Sequence, residues 1–130
     1  MLIIDKDSET SVVVGTAIGP LTVEEIRRAA ASVWRDVEGP SLRVLWDLRL
    51  ARFEFSAVEV RALAEFARQN SPYPDLRMAF VVARDLEFGL VRIFEALRET
   101  ARARVAVFRE KDEALAWLGG QEKAGNPGLA

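Results

Sequence analysis

Between Asp47 and Ser56 the chain gathers two carboxylates (Asp47, Glu54), two guanidinium groups (Arg49, Arg52), two aromatic rings (Phe53, Phe55) and the hydroxyl of Ser56. Such a set suits recognition. Arginines pair bidentately with carboxylates and phosphates, aromatic rings grip apolar surface, and a serine opening a helix lies where backbone N–H groups welcome an anion. The same set suits catalysis poorly, because no two carboxylates stand at a spacing that acid–base chemistry uses. The sequence also has no histidine and no cysteine, which removes Ser-His-Asp and Cys-His nucleophiles, His-ligated metals, thiol chemistry and disulfides. The glycines are scattered and no phosphate-cradling loop follows a strand. The expectation is a protein that binds, with no catalytic residue, metal or cofactor. Asp47, Arg49, Arg52, Phe53, Glu54 and Phe55 form a candidate recognition loop, and Ser56 is a candidate phosphorylation or anion site. Each also has a plain structural role: Ser56 as a helix N-cap, Asp47 with Arg49 as an ion pair, and the two rings as core.

A second candidate lies further along. Leu86, Leu90, Ile93, Phe94, Leu97 and Ala101 follow one another at helical spacing. Phe88 and Val91 fall about 200° and about 140° around the same helix from Leu86. They are expected to face a homodimer contact, an apolar pocket reaching toward Phe53 and Phe55, or a covering loop. Trp34, Trp46 and Trp117 belong to three different elements and read as packing.

These residues need a frame to hold them. Leu2 to Asp5 and Val12 to Ile18 are β-branched runs separated by a polar turn over 6–10, and they predict an antiparallel hairpin. Gly19-Pro20 is read as the break before a helix opened by the capping box Thr22…Glu25, with Ile26, Ala29, Ala30, Val33 and Val37 inward. Leu42 to Leu48 is the most strand-like run and is placed at the sheet centre with Trp46 buried. A loop leads from it to a second capping box, Ser56…Glu59, and a helix with Val60, Leu63, Ala64 and Ala67 inward. Met78 to Ala83 predicts a strand, Asp85 a cap for the third helix, and Arg98 and Arg102 suit that helix's C-terminal end. Val105 to Phe108 and a short helix through Ala114, Leu115 and Leu118 complete the order ββαβαβαβα. That order predicts an α/β fold: a mixed sheet with an N-terminal antiparallel hairpin and later parallel strands, flanked by four helices. One domain over 1–118 and a flexible tail over 119–130 are expected.

Half of the 130 residues are hydrophobic and 29% are charged, as in an ordinary globular domain. The formal net charge of −2 lacks the basic excess that phosphate neutralisation requires, so no nucleic-acid partner is expected. Lysine occurs only at Lys6, Lys111 and Lys123, and the predominance of arginine favours local ion pairs. The opening apolar run is too short for a signal peptide and no stretch could span a bilayer. A cytoplasmic protein without stable membrane insertion is expected.

Gly19-Pro20-Leu21-Thr22, Val44-Leu45-Trp46-Asp47-Leu48-Arg49, Phe88-Gly89-Leu90, and Val107-Phe108 followed by Glu113-Ala114-Leu115-Ala116-Trp117-Leu118 carry a family likeness. In this order the chain resembles the SpoIIAA-like branch of the STAS/SEC14 superfamily, from the first strand to Leu118. The resemblance implies a mixed sheet with helices and a non-catalytic regulatory or protein-interaction role. In STAS anti-sigma-factor antagonists a partner kinase phosphorylates a serine that opens the helix after the central strand, and Ser56 falls at that position. Those antagonists carry Asp-Ser-Ser/Thr-Gly there, where this sequence has Glu54-Phe55-Ser56-Ala57. The SEC14 side implies an apolar ligand or lipid between helices and sheet, in a pocket kept small by the length of the chain. A protein partner or homodimer is therefore the leading expectation, and binding of a small apolar ligand the alternative.

Overall fold

The β-branched runs pair side by side into one five-stranded sheet, described here from a computed structural model covering residues 1–7 and 11–120. The centre of the expected polar turn and the tail beyond Gly120 lie outside the described residues. In chain order the elements are β1 (Leu2–Lys6), β2 (Val13–Leu21), α1 (Val23–Asp36), β3 (Ser41–Phe53), α2 (Ala57–Asn70), β4 (Asp75–Val81), α3 (Asp85–Arg98), β5 (Ala103–Phe108) and α4 (Lys111–Leu118). The strand order is β1-β2-β3-β4-β5; β1 is antiparallel to β2 and every later pair is parallel. This is the expected fold class, with β3 at the centre.

Because the strand order advances in one direction, right-handed crossovers place α1, α2 and α3 on one face of the sheet. The chain end then lays α4 on the other. On the α4 face, Leu45, Ala79 and Val81 are sealed completely against Ala114 and Leu118. On the opposite face Val44 and Leu76 are buried, but Trp46, Met78 and Phe80 at the middle of the sheet are only half-buried. The expectation of a buried Trp46 is corrected accordingly: three helices stand over it without closing down on it.

Two strands run further than their sequence suggests. Gly19-Pro20 does not break β2, since Gly19 takes a positive φ of 78° and the ladder continues to the pair Leu21 and Phe53. Strand β3 accordingly reaches Phe53, so residues 49–53 are strand and the recognition loop shrinks to Glu54 and Phe55. Within this ladder Thr16 pairs with Asp47 and Ile18 with Leu50, so β3 carries one extra residue opposite Ala17. The bulge exchanges the two faces of β3: Leu42, Val44, Trp46 and Leu48 face α1–α3 before it, and Ala51 and Phe53 do so after it.

Helix α1 starts as expected, with the Glu25 N–H donating to Thr22 Oγ1 at 3.2 Å and the Thr22 N–H donating to Glu25 Oε1 at 3.1 Å. Helix α3 departs from expectation. Its cap is Arg84, and Asp85 is its first residue. Its inward stripe is Glu87, Val91, Phe94 and Arg98 with Phe88 beside it, while Leu86 is 71% and Leu97 49% exposed. Two positions on the buried stripe are charged, so counting apolar residues passes over Glu87 and Arg98 and takes in the exposed Leu86 and Leu97, although Leu90 and Phe94 do face the sheet side. The expectation that Val91 and Phe88 lie outside the main core is corrected: Val91 is in it and Phe88 packs against it.

Gly15 pairs with Trp46 across β2 and β3. A Cβ at Gly15 would overlap Trp46 ring atoms Cε3 and Cζ3 and would stand 3.2 Å from Ile4 Cδ1. Gly15→Ala should therefore destabilise the fold by about 1–3 kcal/mol through overpacking, measured by chemical denaturation. An unchanged midpoint would mean that the indole is free to move aside.

Candidate functional site

The half-buried side chains of the sheet face a cavity of about 110 Å³ between the sheet and α1–α3. Strand alternation supplies Val44, Trp46 and Leu48, the bulge adds Phe53, and β4 contributes Met78 and Phe80. Helical periodicity supplies the roof: Ile26, Ala30 and Trp34 from α1, Leu63 and Phe66 from α2, and Leu90, Val91 and Phe94 from α3. Large rings meet around this space. Phe80 meets Phe94 edge-on at 5.4 Å, Trp34 meets Phe66 at 5.6 Å, and Phe53 stacks on Phe55 at 4.8 Å. The Tyr73 hydroxyl, 2.7 Å from the Val37 carbonyl and 3.2 Å from that of Val33, ties the end of α1 to the segment before β4. Burial raises the Tyr73 pKa, which keeps this hydroxyl protonated.

Few polar groups reach this wall. Arg27 lines it, with its guanidinium 5.5 Å from the Phe66 ring centre and an Nη1 donating to Glu24 Oε1 at 3.0 Å. Ser71, just past α2, and Arg98, in the last turn of α3, line it as well. Such a cavity can hold an apolar molecule by shape and desolvation. Among the described residues no cluster of three or more acidic, His or Cys side chains could hold a metal, and no helix there is long and apolar enough to cross a membrane.

The candidate recognition residues separate onto different surfaces. Asp47 and Arg49 face the α4 side, away from the cavity. There the Arg49 Nε donates to Asp47 Oδ1 at 2.9 Å and Nη2 to Oδ2 at 2.8 Å. Arg52 and Glu54 make an exposed ion pair at 3.5 Å, and the Glu54 N–H donates to the Leu21 carbonyl at 2.9 Å. Phe53 and Phe55 turn into the cavity. Ser56 is exposed at the N-cap of α2, where its N–H donates to Glu59 Oε1 at 3.2 Å. Val91 lines the cavity; Phe88 lies under the Arg109 guanidinium, 4.5 Å from the ring centre. The structure thus brings together Phe53, Phe55 and Val91 and leaves Asp47, Arg49, Arg52, Glu54 and Ser56 outside.

Sequence reading missed Trp34, Phe66, Met78, Phe80 and Arg98 as wall residues. For Arg98 a signal exists in its spacing from Val91 and Phe94 along one helical stripe. For the others, wall and core residues have the same apolar pattern.

Hydrogen bonds from Arg49 hold the Asp47 carboxyl below the usual carboxylate range, against a smaller opposing effect of burial. A lowered pKa means that the pair stabilises the fold above the ordinary carboxyl value near ~4, and that this stability fades as the pH falls through the lower folded value. Asp47→Asn should cost about 1 kcal/mol at neutral pH, at the low end for a charged hydrogen bond because Arg49 is partly solvated. In denaturation curves the gap between variant and wild type should close as the pH is taken well below 4. A gap that stays constant with pH would assign the cost to packing.

No protein-family profile matches the chain, and no curated protein matches it at a significant level. Among solved structures it is similar to an uncharacterized protein of the DUF3478 family with a SpoIIAA-like fold, from Shewanella loihica PV-4. The two chains are 19% identical, with a TM-score of 0.59 over 91% of this chain and 92% of that one. With its antiparallel first pair, its parallel remainder and its four helices, this chain has a SpoIIAA-like fold.

Proposed function

We propose that the protein is a non-catalytic module that binds a small apolar ligand between its sheet and helices α1–α3. The observation that carries this reading is the half-burial of Trp46, Met78 and Phe80 at the centre of the sheet, around a cavity of about 110 Å³. Central sheet positions under three helices are ordinarily close-packed, as they are on the α4 face of this same sheet. A cavity lined by apolar side chains repels water and accepts apolar guests; one of ~150 Å³ in another protein takes up benzene or xenon. The partial exposure of Ile26, Phe55 and Leu90 along its edge gives a guest a way in.

A second reading makes the chain a regulatory partner-binding module, with Ser56 as the modified residue. Its support is the exposed hydroxyl at the start of α2, next to a Phe55 that lines the cavity. Against it, Glu54 flanks the hydroxyl and Glu59 already occupies the Ser56 N–H, so a phosphate there would meet two carboxylates. The apolar-ligand reading takes precedence for that reason.

Titration with 1-octanol, followed by calorimetry and tryptophan emission, should show saturable binding to the wild-type protein. Ala30→Phe and Ala67→Leu, which fill the cavity from α1 and α2, should each weaken that binding about tenfold or more while the protein remains folded. Absence of saturable binding to the wild type, or wild-type affinity in both filled variants, would refute the proposal.

A further inference from the structure

Arg98 is only 5% exposed, yet it lines a predominantly apolar cavity. No ion pair joins it to a carboxylate among the described residues, and its enclosed Nε has no acceptor. The charge that acts on it is another cation, Arg68, whose own guanidinium is taken by Glu65 at 2.7 Å. Of the carboxylates nearest along the chain, Glu95 lies 3.4 Å from Arg92 and Glu99 accepts from the Val105 N–H at 3.0 Å; neither makes an ion pair with Arg98. The position of Arg98 in the last turn of α3 offsets part of the burial cost through the helix dipole, but a dipole supplies no acceptor for the guanidinium donors. Buried charges in folded proteins are paired, and an unpaired one marks a missing partner. A second enclosed polar atom, Ser71 Oγ, is also without a hydrogen-bond partner in this wall. Ser71 follows the last turn of α2 and Arg98 sits in the last turn of α3. Both helices run antiparallel to the parallel strands they connect, so both groups lie at the same end of the cavity.

We infer that the ligand is an apolar acid whose carboxylate is held by Arg98 and Ser71 at the C-terminal ends of α2 and α3, with its tail among Trp46, Met78, Phe80 and Phe94. This rests on the apolar-ligand reading above. A planar guanidinium offers paired N–H donors that match the two oxygens of a carboxylate, and the serine hydroxyl can donate a further bond. An alcohol or hydrocarbon of equal length would fill the same volume and leave the cation unpaired. An amine would bring a second positive charge to it.

The test is calorimetric titration of the wild-type protein at neutral pH with octanoate, 1-octanol and octylammonium, repeated on Arg98→Met, which keeps an unbranched apolar stem and removes the charge. Octanoate should bind the wild type about tenfold or more tightly than 1-octanol, as expected for charged hydrogen bonds. Octylammonium should bind weakest. Arg98→Met should lose the preference for octanoate and keep its affinity for 1-octanol. Equal binding of octanoate and 1-octanol to the wild type, or a preference that survives Arg98→Met, would overturn the inference while leaving the apolar pocket standing. Failure of all three probes to bind the wild type would overturn both. Should Arg98→Met not fold, the ranking of the three probes on the wild-type protein decides alone.

Discussion

The Trp46 indole occupies space that a side chain at position 15 would need, and the face of the sheet beneath α1–α3 is built around that contact. Gly15 lets the ring settle over β2, but no helix descends to cover its other side. From that ring the wall extends along β4 through Met78 and Phe80 and along β3 through Phe53, while aromatic pairs join β4 to α3 and α1 to α2. The Tyr73 hydroxyl, gripping the last carbonyls of α1, fixes the roof at one end.

The two faces of one sheet therefore do different work. Side chains under α4, from Ala79 and Ala114 to Phe108 and Trp117, are buried together in a close-packed core. The opposite face gives up part of that density. The side chains around the space of about 110 Å³ forgo contacts that close packing would supply. A guest that filled the space would restore many of them and stabilise the fold by linkage.

Charge follows the same division. On the α4 side Asp47 and Arg49 satisfy one another with two short hydrogen bonds, and at the start of α3 Arg109 reaches Asp85 at 2.6 Å. Glu87 on the inward stripe of α3 is paired with Arg84. Arg98, at the far end of that stripe, has no such carboxylate among the described residues, and it alone of these groups lies in the wall of the cavity.

By itself the sequence determined the order of elements, the antiparallel hairpin followed by parallel strands, the capping box at Thr22 and the central place of β3. Each of these follows from local alternation, turn residues and caps that act within a few positions of the chain. It also identified Phe53, Phe55 and Val91 as candidates for a site, although for different reasons from those the structure supplies. Tertiary structure decided the rest. The bulge opposite Ala17 depends on how β2 and β3 register against one another, and it turns Phe53 inward. The inward face of α3 was hidden because Glu87 and Arg98 sit on it, and a charged residue signals exposure until its surroundings are known. The cavity itself was illegible, because a residue that lines a void and a residue that fills a core carry the same apolar pattern; only the distance between layers, set by rings from separate elements meeting in space, tells them apart.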